Sequence, residues 1–220
     1  MHTRVKICCV SSVEEANQAV LYGADAIGLV GEMPSGPGVI KDDLIRQIAK
    51  SVPPAVGTFL LTPRTSAKDI VEHVDFCGTN TVQIVNHIGS DEWAKLVELL
   101  PRMIRRVQVV HVEGGDALDL VQEYSPFVHA FLLDSGRPSA EVPELGGTGR
   151  IHDWDISSQF VKLSSKPVFL AGGINAANVQ RAISTVKPYG LDLCSGVRIN
   201  DQLSCEKLKE FMANVNRSNA

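Results

Sequence analysis

A chain of 220 residues with 44% hydrophobic and 21% charged residues has the balance of a soluble globule and enough length to bury a core without staples. Its net charge of −4 argues against general nucleic-acid binding, which needs a basic face. No apolar run approaches the roughly 18 residues of a membrane span and no signal-peptide pattern is seen, so a cytoplasmic protein that engages no membrane is expected. Five cysteines, Cys8, Cys9, Cys77, Cys194 and Cys205, form an odd set without a C-x-x-C pair, which predicts reduced thiols. No His/Cys/Asp spacing is of the zinc type, so no metal is predicted.

Short apolar runs alternate with amphipathic stretches along the whole chain. The runs predict strands over residues 5–9, 26–30, 55–61, 81–85, 106–112, 130–134, 167–173 and 191–195. The amphipathic stretches predict helices over 13–22, 41–50, 67–76, 91–100, 116–124, 154–163, 176–186 and 204–213. Ser11 or Ser12 before Glu14 and Glu15 supplies an N-cap and an acidic first turn, and Gly23 a C-terminal stop. Ser90 opens the fourth helix in the same way, and Asn175 is the expected cap of the seventh. Residues 214–220 are polar and aperiodic, which predicts a frayed tail. Eight β/α units in one domain over residues 1–220 give an α/β fold, a single (β/α)8 barrel. A doubly wound open sheet, with its usual five or six strands, is the lesser alternative.

Residues 167–198 carry the strongest local signal. One strand ends in Gly172-Gly173 and the next in Ser195-Gly196, so bare backbone N–H groups converge beside a helix start, which favours an anion. In eight-stranded barrels the loops after strands 7 and 8 commonly hold phosphate. On the first strand, alternation turns Lys6 and Cys8 into the barrel and Ile7 and Cys9 outward. A thiol at a strand's C-terminal end beside an ammonium fits a base or nucleophile, with a small packing cysteine as the plainer alternative. Asp134 follows four apolar residues at a strand end, where it fits a general acid or a cap. Asp192 faces inward with Cys194 and needs a buried partner, for which Lys6 on the adjoining strand is placed. The glycine-rich loop 146–149 can add N–H donors, and His111 and His152 read as structural.

Several of these segments, taken together, resemble phosphoribosylanthranilate isomerase, an enzyme family of tryptophan biosynthesis. They are Lys6-Ile7-Cys8 (family KICG), Tyr22-Gly23-Ala24-Asp25-Ala26-Ile27-Gly28 (GADxxG) and Phe131-Leu132-Leu133-Asp134. They continue with Gly146-Gly147-Thr148-Gly149, Asp153-Trp154, Leu170-Ala171-Gly172-Gly173, Asn178-Val179 and Leu191-Asp192-Leu193-Cys194-Ser195-Gly196-Val197, in family order. The resemblance implies an Amadori rearrangement of a phosphorylated aminosugar without a cofactor, by a monomer or homodimer. It implies Cys8 as general base and Asp134 as general acid. The substrate would lie against Lys6, Gln83 and Asp192, its phosphate on the backbone of Gly147, Gly172, Gly173, Ser195 and Gly196. A divergent phosphosugar isomerase or lyase, or a non-catalytic phosphate binder on the same scaffold, is the alternative.

Three segments depart from the family pattern. Ser35-Gly36-Pro37-Gly38-Val39 lacks the arginine that holds the anthranilate carboxylate. Val82-Gln83-Ile84-Val85-Asn86 replaces VQLHG, and Cys9 replaces the glycine of KICG. Arg64, in the loop after the third strand, is the expected substitute for the missing cation.

Overall fold

The computed structural model describes residues 2–34, 36–136 and 150–219. Eight parallel strands close into a barrel in chain order: β1 (Arg4–Ile7), β2 (Ala26–Val30), β3 (Gly57–Thr62), β4 (Thr81–Ile84), β5 (Arg105–His111), β6 (Ala130–Asp134), β7 (Val168–Leu170) and β8 (Gly190–Leu193). Helices α1 (Val13–Leu21), α2 (Asp42–Ser51), α3 (Ala67–Cys77), α4 (Ser90–Leu99), α5 (Leu120–Tyr124), α6 (Trp154–Leu163), α7 (Val179–Val186) and α8 (Cys205–Asn219) follow the strands. The open-sheet alternative is excluded, because β1 pairs with β8 as well as with β2.

Strand alternation divides the apolar residues into two layers. Val5, Ile7, Leu60, Phe131, Leu133, Leu191 and Leu193 pack outward against the helices. Ala26, Phe59, Leu61, Val107, Val109, Leu132 and Phe169 fill the barrel interior. Burying both faces of every strand explains why the sequence reads as apolar runs and not as strict alternation.

The element ends differ from expectation in informative ways. Strands β1, β7 and β8 stop two or three residues earlier than their apolar runs, so Cys8, Cys9, Gly172, Gly173, Cys194 and Ser195 belong to the rim loops. Helix α7 begins at Val179, because Asn175 Oδ1 accepts from Ala177 N and Asn178 Oδ1 accepts from Asn175 N, which makes residues 175–178 a turn. Ser90 is already inside α4, whose cap position is Gly89. The fifth predicted helix is split into a 3-10 turn (Gly115–Leu118) and α5. The frayed tail is a correction: α8 continues to Asn219, held by buried Val215 and by Asn219 Oδ1, which accepts from Thr3 N.

Candidate active site

The C-terminal ends of the strands open into a cavity. Cys8, Gln83, Asp134, Gly172, Gly173, Asp192 and Ser195 all line it. Lys6 sits directly beneath, fully buried, and Gly196 adjoins the same rim beside Gly173 and Ser195. Gly147 and the rest of the 146–149 loop lie outside the described residues.

The buried cation is organised first. Lys6 and Asp192 are register partners across β1 and β8, and Lys6 Nζ donates to Asp192 Oδ1 at 2.8 Å. Burial, the largest influence on the ammonium, favours its neutral form. The charge of Asp192, then that of Cys8, outweigh it and raise Lys6 above an ordinary lysine. The ammonium also stands 5.3 Å from the centroid of the Phe59 ring. Gly28, on β2, leaves the space these groups occupy: a Cβ there would meet Cys8 Sγ at 2.7 Å and Lys6 Nζ at 2.8 Å. The Cys8 sulfur and the Lys6 ammonium therefore share one pocket above Gly28. That role of Gly28 was not read from sequence, although its motif was.

Asp134 stands at the end of β6 with its carboxylate at the cavity wall. Burial pushes its carboxyl up to about 6, and the nearby Asp192 charge acts in the same direction. The Ser135 N–H, which donates to Asp134 Oδ1 at 2.7 Å, opposes the shift only in part. A carboxyl titrating there holds a proton at mildly acidic pH and gives it up near neutrality, the range a general acid needs.

On the β7–β8 side, Gly172 and Gly173 have φ of +83° and +64°, a left-handed turn that favours glycine. A Cβ at Gly196 would collide with the Ile174 carbonyl, so that backbone too must be bare. The N–H groups of Gly172, Gly173, Ser195 and Gly196 donate to no atom of the described residues. Gln83, 3% exposed on the inner face of β4, has an Oε1 without a partner among the described residues. The opposite wall is apolar, formed by Val30, Met33, Leu61, Val85 and Val109.

Two expectations are corrected. Cys9 does not point outward: φ is +61°, so the chain leaves the strand alternation and swings the side chain into the mouth. There Cys9 Sγ and Cys194 Sγ share a hydrogen bond at 2.8 Å. Arg198 fixes this corner, donating to the carbonyls of Cys8 (3.1 Å) and Cys9 (2.6 Å) while pairing with Glu15 at 2.9 Å. The signal was present in the sequence, since a position where the family pattern has glycine is one where a left-handed φ is to be expected.

Arg64 is the second correction. Its guanidinium donates to the Asp69 carbonyl at 3.0 Å and lies 3.8 Å from Asp42, beside α3 and away from the mouth cavity. Near it, Asp42, His73 and Cys77 bring three donor atoms within 4.8 Å of one another, a grouping that spacing alone did not reveal. His73 is already engaged there, with Thr62 at 3.0 Å and Asp42 at 3.1 Å. His111 and His152 hold structural contacts, with the Val85 carbonyl and Ser157 Oγ.

Comparison with known proteins gives the same assignment independently. Residues 5–214 match the family model for N-(5'phosphoribosyl)anthranilate (PRA) isomerase. An N-(5'-phosphoribosyl)anthranilate isomerase 2 of Methanosarcina mazei is 35% identical over 196 residues, 89% of this chain and 85% of that protein. An N-(5'-phosphoribosyl)anthranilate isomerase of Methanocella arvoryzae is 31% identical over 97% of this chain and 98% of its own. The crystal structure of phosphoribosyl anthranilate isomerase from Thermotoga maritima superposes with a TM-score of 0.82 at 27% identity, covering 98% of this chain and 99% of that one. With its fold, its mouth geometry and these matches in agreement, the chain belongs to the N-(5'-phosphoribosyl)anthranilate isomerase family.

Proposed function

We propose that this chain catalyses the family reaction, the Amadori rearrangement of N-(5'-phosphoribosyl)anthranilate to the 1-deoxyribulose phosphate in tryptophan biosynthesis. The observation that carries the proposal is the placing of Cys8 and Asp134 on one cavity whose rim bears, on one side, N–H groups without a partner among the described residues and, on the other, an apolar wall. Asp134, carrying its proton, hands it to the ribose ring oxygen; the ring opens and the anomeric carbon becomes an imine. The Cys8 sulfur, as thiolate, then removes the C2′ proton. The electron pair flows into the imine to give an enolamine, which tautomerises to the ketone. Asp134, left ionised by the first step, is the group that can take the hydroxyl proton back.

Lys6 carries the positive charge of the site. Pinned by Asp192, it offsets the negative charge that the thiolate and the ionised Asp134 would otherwise concentrate. The phosphate rests on the backbone around Gly172, Gly173, Ser195 and Gly196, and the anthranilate ring takes the apolar wall of Val30, Met33, Leu61, Val85 and Val109. Gln83, which lines the cavity and has an Oε1 without a partner among the described residues, is available to the sugar hydroxyls.

No helix among the described residues is long and apolar enough to cross a membrane. All five thiols are free, which fits a reducing compartment, and we place the enzyme in the cytoplasm as a monomer or homodimer. The decisive experiment follows the fluorescence of phosphoribosylanthranilate in the presence of the purified chain. Loss of signal with saturable kinetics, together with rescue of a tryptophan auxotroph lacking this isomerase, supports the reading. A chain that binds inorganic phosphate but leaves the fluorescence unchanged overturns it.

A further inference from the structure

We propose that Cys9 and Cys194 form an oxidisable pair: a modification site at the rim of the cavity that closes to a disulfide when a hydroperoxide reaches it, and that disables the adjoining site when closed. The loss of turnover rests on the function proposed above; the crosslink does not.

The geometry is specific. The two sulfurs come from opposite ends of the chain and stand 2.8 Å apart, at the tips of neighbouring strands β1 and β8. Cys9 holds φ at +61°, a conformation unfavourable for a residue with a Cβ, so a side chain persists where glycine would fit without strain. The facing loop is shaped around that thiol. A Cβ at Gly38, itself at φ +76°, would meet Cys9 Cα at 2.8 Å and Cys9 Sγ at 3.1 Å. An unusual backbone held in place by its surroundings is where functional strain is found. Both thiols line the mouth cavity, so a small oxidant that enters it meets them; Cys77, in contrast, is fully enclosed.

The two sulfurs are also unequal in a way that suits the chemistry. The hydrogen bond with Cys9, with the Arg198 charge behind it, holds the Cys194 thiol below its ordinary value against the effect of burial. The same bond, a second with Cys8, and burial push Cys9 well up. Cys194 is therefore the more readily ionised of the two and Cys9 the one that holds its proton more tightly. In the first step the Cys194 thiolate attacks the hydroperoxide; an S–O bond forms, the O–O bond breaks, and the alkoxide or hydroxide leaves and is protonated. In the second step Cys9 sulfur attacks the Cys194 sulfenic acid. The S–S bond forms, the S–O bond breaks, and the hydroxyl leaves as water with the Cys9 proton. Two thiols lose two electrons and the peroxide gains two. A dithiol reverses the step by exchange.

Closing to a bond of about 2.05 Å draws the sulfurs together by about 0.8 Å. Cys9 is joined directly to Cys8, and Cys194 directly to Ser195. Displacements of that size at a reacting group cost about 10²-fold in rate.

The test uses the full-length chain exposed to equimolar hydrogen peroxide, alkylated in denaturant, then digested with trypsin without reductant. The expected product is the peptide of residues 7–41 joined to that of 182–198, with the loss of two hydrogen atoms. In parallel kcat/KM falls by about 10²-fold and recovers with dithiothreitol. Cys9→Gly and Cys194→Ser each lose the crosslink and keep their own untreated activity through the same exposure. An internal Cys8–Cys9 bond, an alkylated Cys194 after treatment, or a crosslink that persists in Cys9→Gly overturns the proposal. So does a crosslinked protein of undiminished kcat/KM. Absence of turnover before any oxidant is added counts against the isomerase function instead, and the crosslink is then judged by mass alone.

Discussion

The two sides of the barrel mouth are built from opposite chemistry. Along β6, β7, β8 and β1 the polar atoms gather, on Asp134, Gly172, Gly173, Asp192, Ser195 and Cys8, among the apolar Leu132, Ala171, Ile174 and Leu193. Along β2 to β5 it is Val30, Met33, Leu61, Val85 and Val109, with Gln83 as the polar exception. A substrate with phosphate and ribose at one end and an aromatic ring at the other matches that division. The polar side depends on a few atoms placed to within tenths of an ångström, whereas the apolar side depends on area and shape. Changes on the two sides should therefore damage different kinetic constants.

The largest effect is expected from the acid/base pair. Cys8→Ser and Asp134→Asn should each lower kcat by about 10²–10⁴-fold while inorganic phosphate still binds. Leu61→Ala, across the cavity, should raise KM by about tenfold or more with kcat little changed. Equal effects on kcat from both sides would dissolve the division. Full activity in Cys8→Ser and Asp134→Asn would remove the assigned roles.

Next comes the charge pair beneath the mouth. Asp192→Leu alone leaves the Lys6 ammonium buried without its carboxylate and should cost about 3–5 kcal/mol in urea unfolding. Adding Lys6→Met removes the orphaned charge and should recover most of that stability without recovering turnover. If the double variant is as active as the parent, the pair serves folding alone.

Asp134 supplies a pH test of moderate size. Its folded carboxyl titrates near 6, above an ordinary unfolded aspartate, so the folded state binds its proton more tightly. Stability from this group is full below about pH 4 and is lost as pH rises towards 6. Asp134→Asn, which keeps an oxygen for the Ser135 N–H, should thus be more stable than the parent by about 1–2 kcal/mol above pH 6, with no difference near pH 4. The parent's kcat/KM should fall as pH rises through about 6, because the acid loses its proton. An Asn variant less stable than the parent at pH 8 would contradict the buried-acid account.

The smallest effect concerns the two family departures that meet in space. Gly38→Ala should destabilise by about 1 kcal/mol or more, since φ is +76° there and the new methyl meets Cys9. In Cys9→Gly the same change should cost less, and a double-mutant cycle on thermal unfolding reads the difference. Strict additivity would mean that the glycine at position 38 and the cysteine at position 9 accommodate nothing in each other.

Much of this architecture is legible in residue order because it follows from period. The inward placing of Lys6, Asp134 and Asp192 needs only the alternation of a strand, Cys8 keeps to it one residue past β1, and the Lys6–Asp192 pair needs only that the first and last strands of a closed barrel adjoin. Alternation fails where the strand stops. Cys9 was expected outward because the apolar run continues past Ile7, but its backbone is left-handed and its side chain lies beside Cys194. Arg64 was placed on the correct rim by its loop, yet its long side chain folds back to the Asp69 carbonyl and Asp42, partners no local pattern specifies. The last turns of α8 read as a polar tail because a single buried Val215 and an Asn219–Thr3 bond carry no period.

The sequence by itself determined the barrel, the facing of its strand residues and the glycine-tipped loops, since each depends on repeats of a few residues and on local backbone freedom. Tertiary structure alone decided the clearance that Gly28 leaves for Lys6 and Cys8, the rise of Asp134 to about 6, and the meeting of Cys9 with Cys194. Those depend on burial and on distances between residues far apart in the chain, and both arise only when the first and eighth strands close the ring.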